Sequence, residues 1–219
     1  MASRGDSEGA RTDLRDFPGR RRSATTGFPG EARLITGSAP LRRIVLVGMM
    51  GSGKTTVGRG LADRLGWAFW DNDATLLAAT GRDARTLAAT LGEDELHALE
   101  LDTLARGLAF EGPAVVCAPG SAALAAPGQA LLAREWVVWL RATAETLLGR
   151  VEHERDARPL LADVSAEQLH ALEVVRRPGY EAVADIIVDV DHLAPIAVIT
   201  KICEERDNAL QSASDTTPR

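Results

Sequence analysis

Five short apolar runs punctuate the chain between residues 44 and 190, and the stretches between them repeat their apolar positions at helical spacing. Ile44-Val45-Leu46-Val47 ends on Gly48 and predicts a strand buried on both faces. Ala68-Phe69-Trp70, closed by Asp71, predicts a second strand, and 114–117, 136–140 and 186–190 predict three more. Val57, Leu61 and Leu65 recur every fourth residue, which predicts a helix over 54–65. Leu96, Leu99, Leu101, Leu104 and Leu108 give 93–108 a mixed apolar face and predict a longer one. Further helices are predicted over 144–151, 166–184 and 195–206. Strands alternating with helices predict an α/β fold built on a parallel sheet. Residues 1–42, rich in Arg, Ser and Gly, and the polar residues 207–219 are expected to be disordered tails, leaving one domain over 43–206. There is no internal repeat.

Composition agrees with a single domain: 219 residues and 45% hydrophobic content suffice for one sizeable core. The net charge of −6 disfavours a general nucleic-acid binder, whose footprint is basic. The charge is uneven, because nine Arg against five Asp and Glu give residues 1–43 a net +4 and leave −10 on the rest. Cys117 and Cys203 have neither a metal-ligand spacing nor a disulfide framework, which suits a reduced, cytoplasmic protein. No run of eighteen apolar residues predicts a membrane span. The first segment has no apolar h-region of a secretory signal. The expected partner is a small-molecule acceptor, with no nucleic acid and no membrane, and the protein is expected to be a monomer.

Three stretches carry chemistry. Gly48-Met49-Met50-Gly51-Ser52-Gly53-Lys54-Thr55 fits G-x-x-x-x-G-K-[ST] at every fixed position, with a strand before it and a helix after it. Glycines let the backbone curl so that successive N–H groups point at phosphate oxygens, and the following helix adds its dipole. Lys54 brings a mobile cation to the outer phosphates, and the Thr55 hydroxyl is a ligand for Mg²⁺. Asp71-Asn72-Asp73 stands at the carboxyl end of the second strand, where ligands bind in open α/β sheets. Its two carboxylates can divide the work, one serving Mg²⁺ and the other facing an acceptor hydroxyl; alternatively Asp73 caps the next helix. The charged stretch 152–163, with Arg158-Pro159, suits a mobile lid over a nucleotide.

With these motifs the chain resembles the shikimate kinase family of P-loop small-molecule kinases over residues 43 to about 205. The likeness rests on the P-loop, on Gly58-Arg59-Gly60-Leu61-Ala62, and on Phe69-Trp70-Asp71-Asn72-Asp73 followed by Thr80-Gly81-Arg82. It continues through Gly92-Glu93-Asp94-Glu95-Leu96-His97-Ala98-Leu99-Glu100, Arg158-Pro159-Leu160-Leu161, Arg176-Arg177-Pro178-Gly179-Tyr180 and Ala184-Asp185. The resemblance implies a P-loop NTPase, nucleoside-kinase-like three-layer fold with a five-stranded parallel sheet of order 2-3-1-4-5. It implies ATP-dependent phosphorylation of a hydroxyl on a small polyhydroxylated ring acid, shikimate giving shikimate 3-phosphate. Gly48, Gly51, Ser52, Gly53, Lys54, Thr55 and Thr56 would cradle ATP, Arg150 would stack on adenine opposite Pro195, and Thr55 with Asp71 would serve Mg²⁺. Lys54, Asp73 and Arg158 would be catalytic, with Arg158 the lid arginine on the transferred phosphate. Asp73, His97, Gly120, Ser121 and Arg176 would meet the acceptor, Arg176 gripping its carboxylate.

Two departures touch that acceptor. Where the family has an arginine that forks onto the substrate carboxylate, this chain has His97, so Glu100 lacks the partner it would orient. Where the family has three glycines after the third strand, this chain has Pro119-Gly120-Ser121. The alternatives are therefore a kinase of a different acceptor, such as a cyclitol or sugar acid, and an ATP-binding relative that has lost catalysis.

Overall fold

The structure, a computed structural model, describes residues 41–153 and 165–215. Among them, β1 (Arg43–Val47) leads through the glycine loop into α1 (Lys54–Leu65), then β2 (Ala68–Asp71), α2 (Asn72–Thr80), α3 (Ala84–Leu91) and α4 (Glu93–Leu108). There follow β3 (Ala114–Cys117), α5 (Ala126–Leu132), β4 (Trp136–Arg141), α6 (Ala144–His153), α7 (Ala166–Val183), β5 (Ile186–Asp189) and α8 (Pro195–Asp215). The five strands form one sheet of order β2-β3-β1-β4-β5, every neighbouring pair parallel. This is the order that the resemblance implied.

Burial follows from the layering. Residues 44–47 of β1, the central strand, are completely buried, and so are Val115, Val116, Val137, Val138 and Leu140 of its neighbours. Edge strand β5 keeps alternate residues exposed, Ile187 at 40%. Gly58 on α1 lets that helix lie close to the sheet: a Cβ there would stand 2.7 Å from Cys117 Sγ and 2.9 Å from the Phe69 ring. Strand order reverses beside β1, so the carboxyl ends of β1, β2 and β3 open onto the crevice where ligands bind in such sheets.

Three helices lack a clear apolar period in the sequence. Local hydrogen bonding starts two of them. The Asp71 carboxylate accepts from Ala74 N to cap α2, and Asp83 accepts from Thr86 N to cap α3. The cap of α2 is thus Asp71 and not Asp73, which lies in the helix's first turn. The third, α5, starts with Pro127 in its first turn, where a missing N–H is harmless. Leu76, Leu87, Leu96 and Leu99 form a second apolar cluster that fastens α2 and α3 to α4. At the carboxyl end, α8 runs to Asp215 instead of ending at 206, which corrects the expected tail. Residues 1–40, 154–164 and 216–219 lie outside the described residues, taking with them Arg158, most of the expected lid and most of the expected N-terminal tail. No helix among the described residues is long and apolar enough to cross a membrane.

Candidate active site

The glycine loop closes the carboxyl end of β1. Gly48, Gly51 and Gly53 all have positive φ, at 145°, 75° and 92°, so each sits where L side chains are strained. A Cβ on Gly48 would also meet Leu140 O at 2.6 Å. Lys54 Nζ donates to Gly48 O at 2.9 Å and to Met49 O at 3.1 Å, spanning the mouth of the loop. Ser52 Oγ is buried in the loop without a hydrogen-bond partner. Thr56 stands exposed in the first turn of α1.

The loop and the end of β2 are joined directly. Thr55 Oγ1 donates to Asp71 Oδ2 at 2.7 Å, and Asp71 is only 9% exposed. A hydroxyl and a carboxylate oxygen side by side make a hard donor pair that suits a divalent cation. Asp73, exposed, follows within one turn. Cys117, at the end of β3, donates its thiol hydrogen to Lys54 O at 3.2 Å, and burial pushes its pKa far up. It is a packing residue and not a nucleophile.

The residues expected to flank adenine lie on α6 and at the start of α8. Arg150 donates to Gly51 O and Ser52 O at 3.4 Å each and to Val190 O at 2.5 Å. Its guanidinium therefore links the glycine loop to the segment that leads into exposed Pro195.

The residues expected to meet the acceptor come from α2, α4, the turn after β3 and α7. Pro119-Gly120-Ser121-Ala122 forms a turn after β3, closed by Ala122 N donating to Pro119 O at 3.1 Å. Gly120 needs no positive φ here; close approach explains it. A Cβ on Gly120 would stand 2.7 Å from Arg176 Nη1 and 3.5 Å from Gly48 O. Tyr180 OH donates to Gly120 O at 2.7 Å, and burial pushes the Tyr180 phenol up to about 12. Arg176 Nε is buried with no hydrogen-bond partner, its Nη1 approaches the Met49 sulfur at 3.9 Å, and the guanidinium also interacts with the Tyr180 hydroxyl. A guanidinium with a buried, unpartnered Nε is a ready receptor for an anion.

His97 pairs within its own helix while still acting electrostatically on Glu100. Its Nε2 lies 3.7 Å from Glu93 one turn back on α4, and its side chain is 39% exposed. Sequence reasoning left Glu100 without a partner, and the structure supplies one: Ser121 Oγ donates to Glu100 Oε2. The two departures thus meet in one contact. Reasoning from sequence also passed over Asn72, buried, whose amide nitrogen donates to Glu100 O at 3.3 Å and ties α2 to α4.

A model of the shikimate kinase family matches residues 50–207. The chain belongs to the shikimate kinase family. Among curated relatives, the shikimate kinase of Moorella thermoacetica is 39% identical over 170 residues, 77% of this chain and 96% of that protein. That of Gloeobacter violaceus is 40% identical over 178 residues, 80% and 97% of the two chains. A solved structure, the shikimate kinase from Acinetobacter baumannii in complex with shikimate, superposes with a TM-score of 0.69 at 31% identity, covering 81% of this chain and 96% of that one. A gluconokinase from Sinorhizobium meliloti, at 19% identity and TM-score 0.57, shares the fold. As a shikimate kinase family member, the protein is a small-molecule kinase, and ATP is the family's phosphate donor.

Burial holds the Glu100 carboxyl above the usual carboxylate range. The Ser121 hydrogen bond offsets this, the charge of Asp73 adds to it, and His97 and Arg176 oppose it. A carboxyl raised by folding contributes stability that is full below the unfolded value of about 4.3 and is lost as pH rises through the folded value. Glu100→Gln keeps an oxygen to accept from Ser121 and removes the buried charge. It is expected to melt above wild type at pH 8 by about 2–4 °C, the shift that ~1 kcal/mol gives in a domain of this size. The gap should close below about pH 4. Thermal melts at the two pH values check this, and a variant that melts below wild type at pH 8 contradicts it.

Proposed function

We propose that the protein transfers the γ-phosphoryl group of ATP to a ring hydroxyl of shikimate, with Mg²⁺, giving shikimate 3-phosphate. The observation that carries this reading is the 2.7 Å bond between Thr55 and Asp71, which joins the phosphate cradle to the strand end that presents Asp73. Family membership supports the acceptor.

In this reading the glycine loop binds the phosphates through its N–H groups, and Lys54 neutralises the outer ones. Thr55 and Asp71 would hold Mg²⁺, which would supply charge neutralisation at the phosphates. Asp73 orients the acceptor hydroxyl and takes its proton as that oxygen bonds the γ-phosphorus and the bond from that phosphorus to the ADP oxygen breaks, with ADP leaving. Arg176 holds the acceptor's carboxylate. Arg150 and Pro195 flank the adenine, and Arg158 reaches the transferred group from the lid. We propose a cytoplasmic monomer acting on a small molecule, with neither nucleic acid nor membrane as partner.

The test is ADP release with ATP and Mg²⁺ over shikimate, quinate, gluconate and cyclitols, with the phosphorylated product identified by mass spectrometry. Shikimate-dependent release is expected. Release with another acceptor and none with shikimate would favour the second reading, a sugar-acid or cyclitol kinase, for which the histidine at 97, in contact with Glu93, is the supporting observation. Arg176→Ala is expected to raise KM for shikimate by about 10–150-fold, the worth of a hydrogen bond to a charged group, with little change in KM for ATP. Equal rises in both constants would remove the carboxylate role.

A further inference from the structure

The proposed chemistry leaves one nearly buried acid without a task. Glu100 is 7% exposed, and among the described residues no cation lies within ion-pair distance of it. The nearby histidine pairs with Glu93 instead. One carboxylate oxygen, Oε2, is held by the Ser121 hydroxyl; the other, Oε1, accepts from no described group. An ionised carboxylate has about four lone-pair sites, so one neutral donor leaves it under-satisfied. Burying it so is expensive unless a further donor arrives.

The surroundings say where that donor comes from. Glu100 is electrostatically coupled to Asp73, His97 and Arg176, so it stands among the acceptor-side groups. Ser121 adjoins Gly120, where a Cβ would stand 2.7 Å from Arg176 Nη1 and 3.5 Å from Gly48 O. The backbone O of Glu100 is fixed by Asn72, between Asp71 and Asp73, so the helix that carries the acid cannot drift from the acceptor strand end. The Ser121 contact fixes the carboxylate itself.

We propose that Glu100 and Ser121 form a specificity pair in which Ser121 holds one oxygen of the Glu100 carboxylate and the other oxygen accepts a hydrogen bond from a ring hydroxyl of the acceptor. The inference rests on the reading of the protein as a kinase of a polyhydroxylated ring acid, and it names the part of that ring the pair reads. Arg176 takes the negative end of the acceptor and Glu100 takes a hydroxyl that is not phosphorylated. The pocket therefore selects polyols that carry both an acid and a correctly placed spare hydroxyl. Glu100 touches substrate in this scheme; Ser121 is a positioning residue.

The test uses shikimate and its singly deoxygenated analogues, each lacking one hydroxyl other than the one phosphorylated. With wild type, one analogue is expected to lose about 10–150-fold in kcat/KM, as for a hydrogen bond to a charged group. In Glu100→Ala that penalty should fall to near one, while the penalties at other positions stay. Ser121→Ala should relax the same penalty in part, and Ser121→Thr, which keeps a hydroxyl, should restore it. A merely structural role would lower activity on every analogue alike. An unchanged penalty profile in a folded Glu100→Ala, or in Glu100→Leu if the alanine variant does not fold, overturns the pair. If wild type turns over another acceptor and not shikimate, the proposed substrate falls on its own, and the deoxy series of that acceptor reads the pair in the same way.

Discussion

Replacing Lys54 with alanine is expected to lower kcat by about 10²–10³-fold in a protein that still folds. Lys54 Nζ spans Gly48 O and Met49 O, so the ammonium is held across the mouth of the loop before any substrate binds. A preorganised charge of this kind needs no reorganisation as negative charge shifts along the transferred group, so it acts on the transition state more than on ATP binding. The loop's curl comes from glycine φ values at 48, 51 and 53 and not from the lysine, which is why the variant should fold. The measurement is ADP release under saturating ATP and acceptor, with a thermal melt as control. Turnover within a few-fold of wild type would mean that the loop cradles phosphate without driving its transfer.

The donor half was legible because its chemistry is contiguous. One stretch, 48–55, holds the turn glycines, the cation and the hydroxyl, and the helix after it follows a clean apolar period over Lys54–Leu65. The five strands were legible for a similar reason: each is a short apolar run, fully buried in β1 and β3 and less so in the edge strands β2 and β5. Helices α2, α3 and α5 gave no such signal. They are short, α2 and α3 are rich in Ala and Thr, and these two are fixed by a cap and by the Leu76, Leu87, Leu96 and Leu99 cluster, which exists only after folding. The end of α8 was misjudged because polarity was read as fraying, although a helix of polar residues continues through Asp215.

The acceptor half was only partly legible. Ser121 and Glu100 lie on different elements, and nothing in their spacing announces a hydrogen bond. From sequence they were two separate losses, an orphaned acid and an intruding hydroxyl. In three dimensions each answers the other. Met49, a free position in the loop's pattern, proves to be the contact for both Arg176 and Tyr180. Arg176, Gly120 and Asp73 converge only because α7, the β3 turn and α2 all meet the carboxyl edge of one sheet.

The second large effect separates two acids two residues apart. Asp71 is committed: it accepts from Thr55 Oγ1, it caps α2 through Ala74 N, and its carbonyl accepts from Thr75 Oγ1 at 2.7 Å. Asp73 is exposed in the first turn of the helix, on the side that senses Glu100 and the end of β3. Removing a positioned base costs about 10²–10⁴-fold in rate. Asp73→Asn is therefore expected to lower kcat by that factor, with ATP affinity within a few-fold of wild type. Asp71→Ala should behave differently. Losing the cap costs about 1 kcal/mol, and losing the oxygen beside Thr55 should weaken Mg²⁺-dependent ATP binding. Its melt should fall, and its ATP affinity should lose its dependence on Mg²⁺. Titrating ATP with and without Mg²⁺, alongside single-turnover phosphoryl transfer, distinguishes the two. If both variants lose stability, metal-dependent affinity and rate together, the acids act as one unit and the division of labour is wrong. If only Asp73→Asn loses rate while holding nucleotide normally, the proton leaves the acceptor through Asp73, and Asp71 keeps the cation and the helix in place.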